Sequence, residues 1–217
     1  MGYLPEALNN FIVRLGWSCG DQEIFSTAEL IDKFSLEHVG KSAGVFNVDK
    51  LNWLNAHYIK QESDERMAQM LVPFLQKKGY APDGSLDLVK VVRGLKERSK
   101  TLEEMAEKAS FYFKDTLTYN PDAAAKFLTA PMADVFAEMI HHVESTGATD
   151  ENELEAVFKR MQVERGLSLK QLAQGHRVAL TGETASPGIY EVMAALGKEK
   201  VVRRLREAMA FIKSAGT

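Results

Sequence analysis

At 217 residues, with 45% hydrophobic and 26% charged residues, the chain has the composition of a globular protein with one large or two small domains. No apolar run approaches the roughly 20 residues that span a bilayer. Met1–Pro5 also lacks the charged start and apolar stretch of a secretory signal, so neither a membrane protein nor a secreted one is expected. Cys19 is the sole cysteine, which excludes internal disulfides and cysteine-rich zinc sites and points to a reducing, cytoplasmic setting.

The elements follow helical periodicity almost throughout. Leu8, Phe11, Ile12 and Leu15 repeat at helical spacing between Pro5, a favoured first-turn residue, and Gly16. Leu51, Leu54, Tyr58 and Ile59 do the same after Asn47–Lys50. Ser63 offers a cap, and Asp64 and Glu65 early acids, for a helix through Met67, Met70, Leu71 and Leu75 to Gly79, with a kink or break expected at Pro73. Ala81–Gly84 reads as a turn, Ser85 as the next cap, and Thr101–Glu104 as a capping box. Tyr119–Asp122, polar and carrying a proline, is the best candidate for a junction. Beyond it, helices are predicted around Met132–Val143, Glu151–Arg165, Leu169–Leu180, Ile189–Leu196 and Val201–Ile212. No alternating pattern of useful length suggests a strand. The expected fold is all-α and elongated.

The formal net charge of −3 hides an asymmetry: from Glu151 onward there are 11 Lys or Arg against 8 Asp or Glu. A local basic bias suits a partner touched at one patch, although Lys200, Arg203, Arg204 and Arg206 also read simply as the solvated face of a terminal helix. Three fragments imitate catalytic motifs. Gly40–Gly44 matches the G-x-S-x-G elbow but lacks a preceding strand pattern. The same Gly-Lys-Ser ends a P-loop only if Ser35 is ignored where a glycine is required. Glu138 and His141 share a helix face as half of a di-iron set, with no second copy in the sequence. No metal site is expected, and none of these fragments assembles an active site.

Three blocks carry a more specific signal. Gly2–Leu8, Arg14-Leu15-Gly16-Trp17 and Gly20-Asp21-Gln22-Glu23 resemble the segment of bacterial glutamyl-tRNA synthetases just after their catalytic lysine-serine-lysine loop. Phe46–Leu51, Trp53-Leu54-Asn55 and His57-Tyr58-Ile59 resemble the next block. Arg177–Gly182, Ser186-Pro187-Gly188 and Leu196–Glu199 resemble the C-terminal signature. The His-Ile-Gly-His-type motif and the lysine-serine-lysine loop are absent, and Met1 is expected to be an added start because the family's chains continue upstream.

This resemblance implies a three-part division: the end of a stem-contact region over 1–62, and two helical anticodon-binding modules over 63–120 and 121–217. It implies binding to tRNA(Glu) as a monomer. It also implies no catalysis and no cofactor in this stretch, since the ATP and magnesium of the family belong to its catalytic domain. Arg98 falls on the family arginine that reads the third anticodon base, cytosine for glutamate and guanine for glutamine. A guanidinium carries donors only and therefore suits the O2 and N3 acceptors of cytosine. Arg177 falls on a second anticodon-contacting arginine, and Ser186, Pro187 and Ile189 on the loop bordering the first base. Pro187 is expected in the first turn of a helix capped by Ser186, with Ile189 facing the base. A helical protein-interaction scaffold without tRNA binding is the alternative reading.

Overall fold

The computed structural model describes residues 1–41, 44–82, 84, 86–147 and 149–215. Among the described residues there are eleven α-helices and no strand, and the sole β feature is an isolated bridge between Trp17 and Val39. The chain forms two compact units, one of residues 1–79 and 95–108, the other of 80–94 and 109–217.

Unit 1 begins with helix α1 (Pro5–Gly16), entered through Pro5 at its first turn. Short helix α2 (Thr27–Lys33) carries a full capping box between Ser26 and Glu29. Helices α3 (Val48–Gln61) and α4 (Asp64–Lys77) start at Asn47 and Ser63, whose side chains accept from the amides of Lys50 and Arg66. Helix α4 runs on through Pro73, whose side is exposed while Leu71 and Leu75 are buried. The core of the unit packs Phe11 against Leu51 and Leu54, with Trp17, Phe25 and Leu30 as a second cluster. Two buried asparagines join these layers. Asn55 accepts from the Leu4 amide at 2.7 Å and donates to the Lys100 carbonyl. Asn10 accepts from the Phe25 amide and the Tyr58 hydroxyl at 2.7 and 2.9 Å. A buried polar group is tolerated only when paired, and both side-chain carbonyls here are.

In the next stretch, α5 (Leu88–Leu95) belongs mostly to unit 2, and α6 (Leu102–Phe113) contributes to both units. Ser85, the expected cap of α5, lies outside the described residues. Asp87 instead accepts from the amides of Val89 and Lys90. Thr101 does cap α6, accepting from the Glu104 amide, but the Glu104 carboxylate reaches back to the Lys100 amide, one residue beyond the expected box.

Unit 2 continues with α7 (Pro121–Phe127), α8 (Ala130–Thr146), α9 (Glu151–Arg165), α10 (Leu169–Thr181) and α11 (Ile189–Ala215). Asn120 caps α7 and its amide donates to the Gly182 carbonyl at 2.9 Å, which ties 119–122 to the end of α10. Helix α11 is broken at Gly197, where φ is 72° and ψ 168°, so it is two helices in sequence as the periodicity predicts. Phe136, Met139, Phe158, Met161, Leu172 and Leu205 fill the core. Met132 lies over Gly175, where a Cβ would meet its Cε at 2.4 Å.

Of the imitated motifs, Ser42 and Ala43 of Gly40–Gly44 lie outside the described residues. The residues before them form α2, a 3₁₀ turn over Leu36–His38 and the Val39 bridge, without the strand an elbow needs. Glu138 is engaged by Arg165 at 3.0 Å, and His141 is exposed. No group of three potential metal ligands occurs among the described residues.

Candidate nucleic-acid interface

In unit 1, residues Lys96–Arg98 form a 3₁₀ turn. Its ionic neighbours are all engaged. Lys96 reaches the Glu62 carbonyl at 2.9 Å and the Asp64 carboxylate at 2.8 Å, and Glu97 pairs with Lys60 at 3.0 Å. Ser99, 2% exposed, donates to the Leu95 carbonyl, and the Arg98 carbonyl accepts from the Lys108 ammonium. The backbone is thus fixed on both sides of Arg98. Its guanidinium is exposed and has no hydrogen-bond or ionic partner among the described residues. Five donors held out to solvent on a braced turn suit a planar acceptor edge.

In unit 2, α10 presents Arg177 half-buried, four residues before it ends. The Nε of Arg177 donates to the Ser186 hydroxyl at 2.9 Å, and that hydroxyl donates to the Pro187 carbonyl at 2.8 Å. Arg177 and the 186–189 turn are therefore brought together. Glu183, Thr184 and Ala185 in the intervening loop are exposed.

Two details differ from the expectation. Helix α11 starts at Ile189, so Pro187 stands outside it and Ser186 does not cap it. The Gly188 amide donates to Glu191 at 2.9 Å and the Gly188 carbonyl accepts from Val192. Pro187 is buried against Gly94, where a Cβ would come within 3.1 Å of it, and this anchor keeps the ring out of the first turn. Ile189 is 5% exposed, so its side chain turns into the core instead of facing outward. The surface elements of the turn are the Arg177 guanidinium, the Ser186 hydroxyl and the polar backbone.

The basic C-terminal stretch needs a correction too. Arg204, read from sequence as part of a solvated face, is 0% exposed. Its guanidinium donates to the carbonyls of Leu180, Phe111 and Lys114 at 2.7, 2.7 and 2.8 Å. Burial pulls its pKa down to about 10, which still leaves it charged at neutral pH. It satisfies carbonyls at the ends of α6 and α10, the helix termini where a cation is favoured. Arg204 lies within the buried stripe of α11 formed by Val201, Leu205, Ala208 and Ile212. Beside it, Arg206 pairs with Glu144 at 2.6 Å and Lys200 donates to the Tyr112 carbonyl at 3.2 Å.

The fold is all-α, with Arg98 on a braced turn of unit 1 and Arg177 on α10 of unit 2. A family model described as an anticodon binding domain matches residues 66–209, and one described as the catalytic domain of class I (E and Q) tRNA synthetases matches residues 1–53. The chain belongs to the anticodon-binding-domain family. The segment expected to end a stem-contact region is largely the one matched by the catalytic-domain model. Similar curated proteins include the glutamate–tRNA ligases of Geotalea uraniireducens, 52% identical, and Geobacter sulfurreducens, 50% identical, each over 98% of this chain and 46% of its own length. The chain thus spans about half the length of the relatives it matches. A crystal structure of a glutamate tRNA ligase from Elizabethkingia meningosepticum in complex with its amino acid superposes with a TM-score of 0.85 at 25% identity, covering 97% of this chain and 42% of that one. No helix among the described residues is long and apolar enough to cross a membrane.

Proposed function

We propose that this chain recognises the anticodon of tRNA(Glu) and positions that tRNA as part of a glutamate–tRNA ligase acting in the cytoplasm. One observation carries the reading: the exposed guanidinium of Arg98 is unpartnered among the described residues, while Lys96 and Glu97 beside it are paired. Arg98 addresses the third anticodon base, and Arg177 with Ser186 and the backbone at Pro187 addresses the first. Ile189 acts from the core by fixing the start of α11. In the proposed division of labour, residues 1–62 belong to the stem-contact side, and 63–120 and 121–217 are the two anticodon-binding modules. Glutamate activation with ATP and magnesium belongs to the ligase as a whole and not to this stretch, which binds tRNA as a monomer.

The test is binding of the chain to a tRNA(Glu) transcript by filter retention or fluorescence anisotropy, across a salt series. The affinity should fall steeply with salt, as phosphate contacts require. It should also weaken when the third anticodon base is changed from cytosine to guanine. Affinity indifferent to both changes would refute the proposal, and so would pyrophosphate exchange with glutamate above background for its non-catalytic part.

A further inference from the structure

Gly94 stands in the last turn of α5, where alanine would serve the helix better than glycine. Its φ is not positive, so it is not there as a left-handed cap. It is buried, and across it lies the ring of Pro187 from the loop before α11. A Cβ at position 94 would come 3.1 Å from the Pro187 Cβ and 3.3 Å from its Cγ, with Glu191 Oε2 at 3.6 Å. Carbon atoms in ordinary contact keep about 3.5–4.0 Å apart, so a neighbour would have to give by a few tenths of an ångström. At Gly175 the neighbour is the flexible end of Met132, but a pyrrolidine ring cannot swing aside. Helix α5 is itself held by Val91 and Val92, both fully buried. The displacement therefore falls on the loop.

We infer that Gly94 is a positioning residue for the Arg177–Ser186 pair: the space left by its missing side chain seats Pro187 and so sets where the Ser186 hydroxyl meets the arginine. This rests on the reading of Arg177 and Ser186 as the first-base contact, and every residue involved belongs to unit 2. Ser186 directly precedes Pro187, and its hydroxyl accepts from Arg177 Nε at 2.9 Å while donating to the Pro187 carbonyl at 2.8 Å. On the far side of the proline, the Gly188 amide is tethered to Glu191 Oε2 at 2.9 Å, which passes any shift of the ring toward Ser186. An N–H···O bond holds to about 3.2 Å, so a few tenths of an ångström suffice to lose the Nε contact. That contact fixes the plane of the guanidinium, and with it the direction in which its Nη donors point.

The test compares wild type, Gly94→Ala, Arg177→Ala and the double variant for binding to a tRNA(Glu) transcript by fluorescence anisotropy. Melting curves and proton–nitrogen correlation spectra of the arginine Nε–H groups are recorded for each chain without tRNA. Gly94→Ala should weaken binding about tenfold, as Arg177→Ala does. Its melting temperature should stay within about 4 °C of wild type, because the helix gains from alanine what the contact loses. In the Arg177→Ala background the same change should cost no further affinity. The Arg177 Nε–H resonance, assigned by its disappearance in Arg177→Ala, should shift in Gly94→Ala. An unshifted resonance, undiminished affinity or a larger fall in melting temperature overturns the inference. So does a loss that persists in the Arg177→Ala background, which would make Gly94 a packing residue only. If Arg177→Ala itself leaves binding unchanged, the first-base reading fails and the inference falls with it. Weakened Arg177→Ala beside unaffected Gly94→Ala removes the inference alone.

Discussion

His176 provides a pH-dependent test of the packing behind the Arg177-bearing end of α10. Its ring is fully buried between Phe136 and Phe158, with centroids 5.1 and 4.6 Å away, and Nδ1 lies 2.8 Å from the Leu172 carbonyl. Burial pulls its pKa down to about 4 from an ordinary 6.5. Above pH 6.5 the imidazole is neutral in both folded and unfolded chains and contributes no pH dependence. Between 6.5 and 4 the unfolded chain takes up a proton that the folded one refuses, so stability falls as pH falls, levelling off below 4. A gap of this size is worth about 3 kcal/mol. Other groups titrate in the same range, and His176→Leu, close in volume, isolates this one. Urea unfolding of both proteins at pH 7.5, 6, 5 and 4.5 should show the wild type losing about 2 kcal/mol more than the variant by pH 4.5. Parallel stability profiles would mean that His176 titrates normally and that the core around α10 is open to water.

Three further substitutions test the elements around the site. Arg204→Met leaves three helix-end carbonyls without their donor but also removes a buried charge, for a net loss of about 3 kcal/mol or roughly 6–12 °C in the melting transition, with Lys recovering part of it. Gly182→Ala places a Cβ 2.6 Å from the Thr118 carbonyl at a φ of 84°, and should cost at least about 2 kcal/mol in urea unfolding. Arg177→Ala, at a half-buried surface position, should weaken tRNA binding about tenfold in anisotropy while stability changes by less than about 1 kcal/mol.

The all-α fold was legible because the local signals agree with the packing. Asn47, Ser63, Asn120 and Ser168 stand immediately before apolar periodic stretches, and each caps a helix. The break in α11 was legible as well, since two periodic runs flank Gly197. What the sequence concealed depends on partners far away along the chain. A basic run at a terminus looks the same whether its members meet water or, as with Arg204, the carbonyl ends of two distant helices. Ser-Pro before an apolar run is the ordinary start of a helix, but Gly94 offers Pro187 a socket and Glu191 reaches back to the Gly188 amide, which delays the start to Ile189. The same delay turns Ile189 inward. Arg98 was legible only through family resemblance, because a cation after a helix is commonplace and its isolation becomes visible once Lys96 and Glu97 are seen to be paired.

The central claim is that Arg98 discriminates the third anticodon base, and one ratio tests it. The affinity of the chain is measured for tRNA(Glu) and for the same transcript with guanine in place of cytosine at that base, in wild type and in Arg98→Gln. An amide presents both a donor and an acceptor where the guanidinium presents donors alone. A base contact of this kind is worth about 1–3 kcal/mol, so the preference for cytosine should shrink by about ten- to a hundred-fold in the variant. An undiminished preference in Arg98→Gln would contradict the account and return Arg98 to the role of a solvated cation at the end of a helical turn.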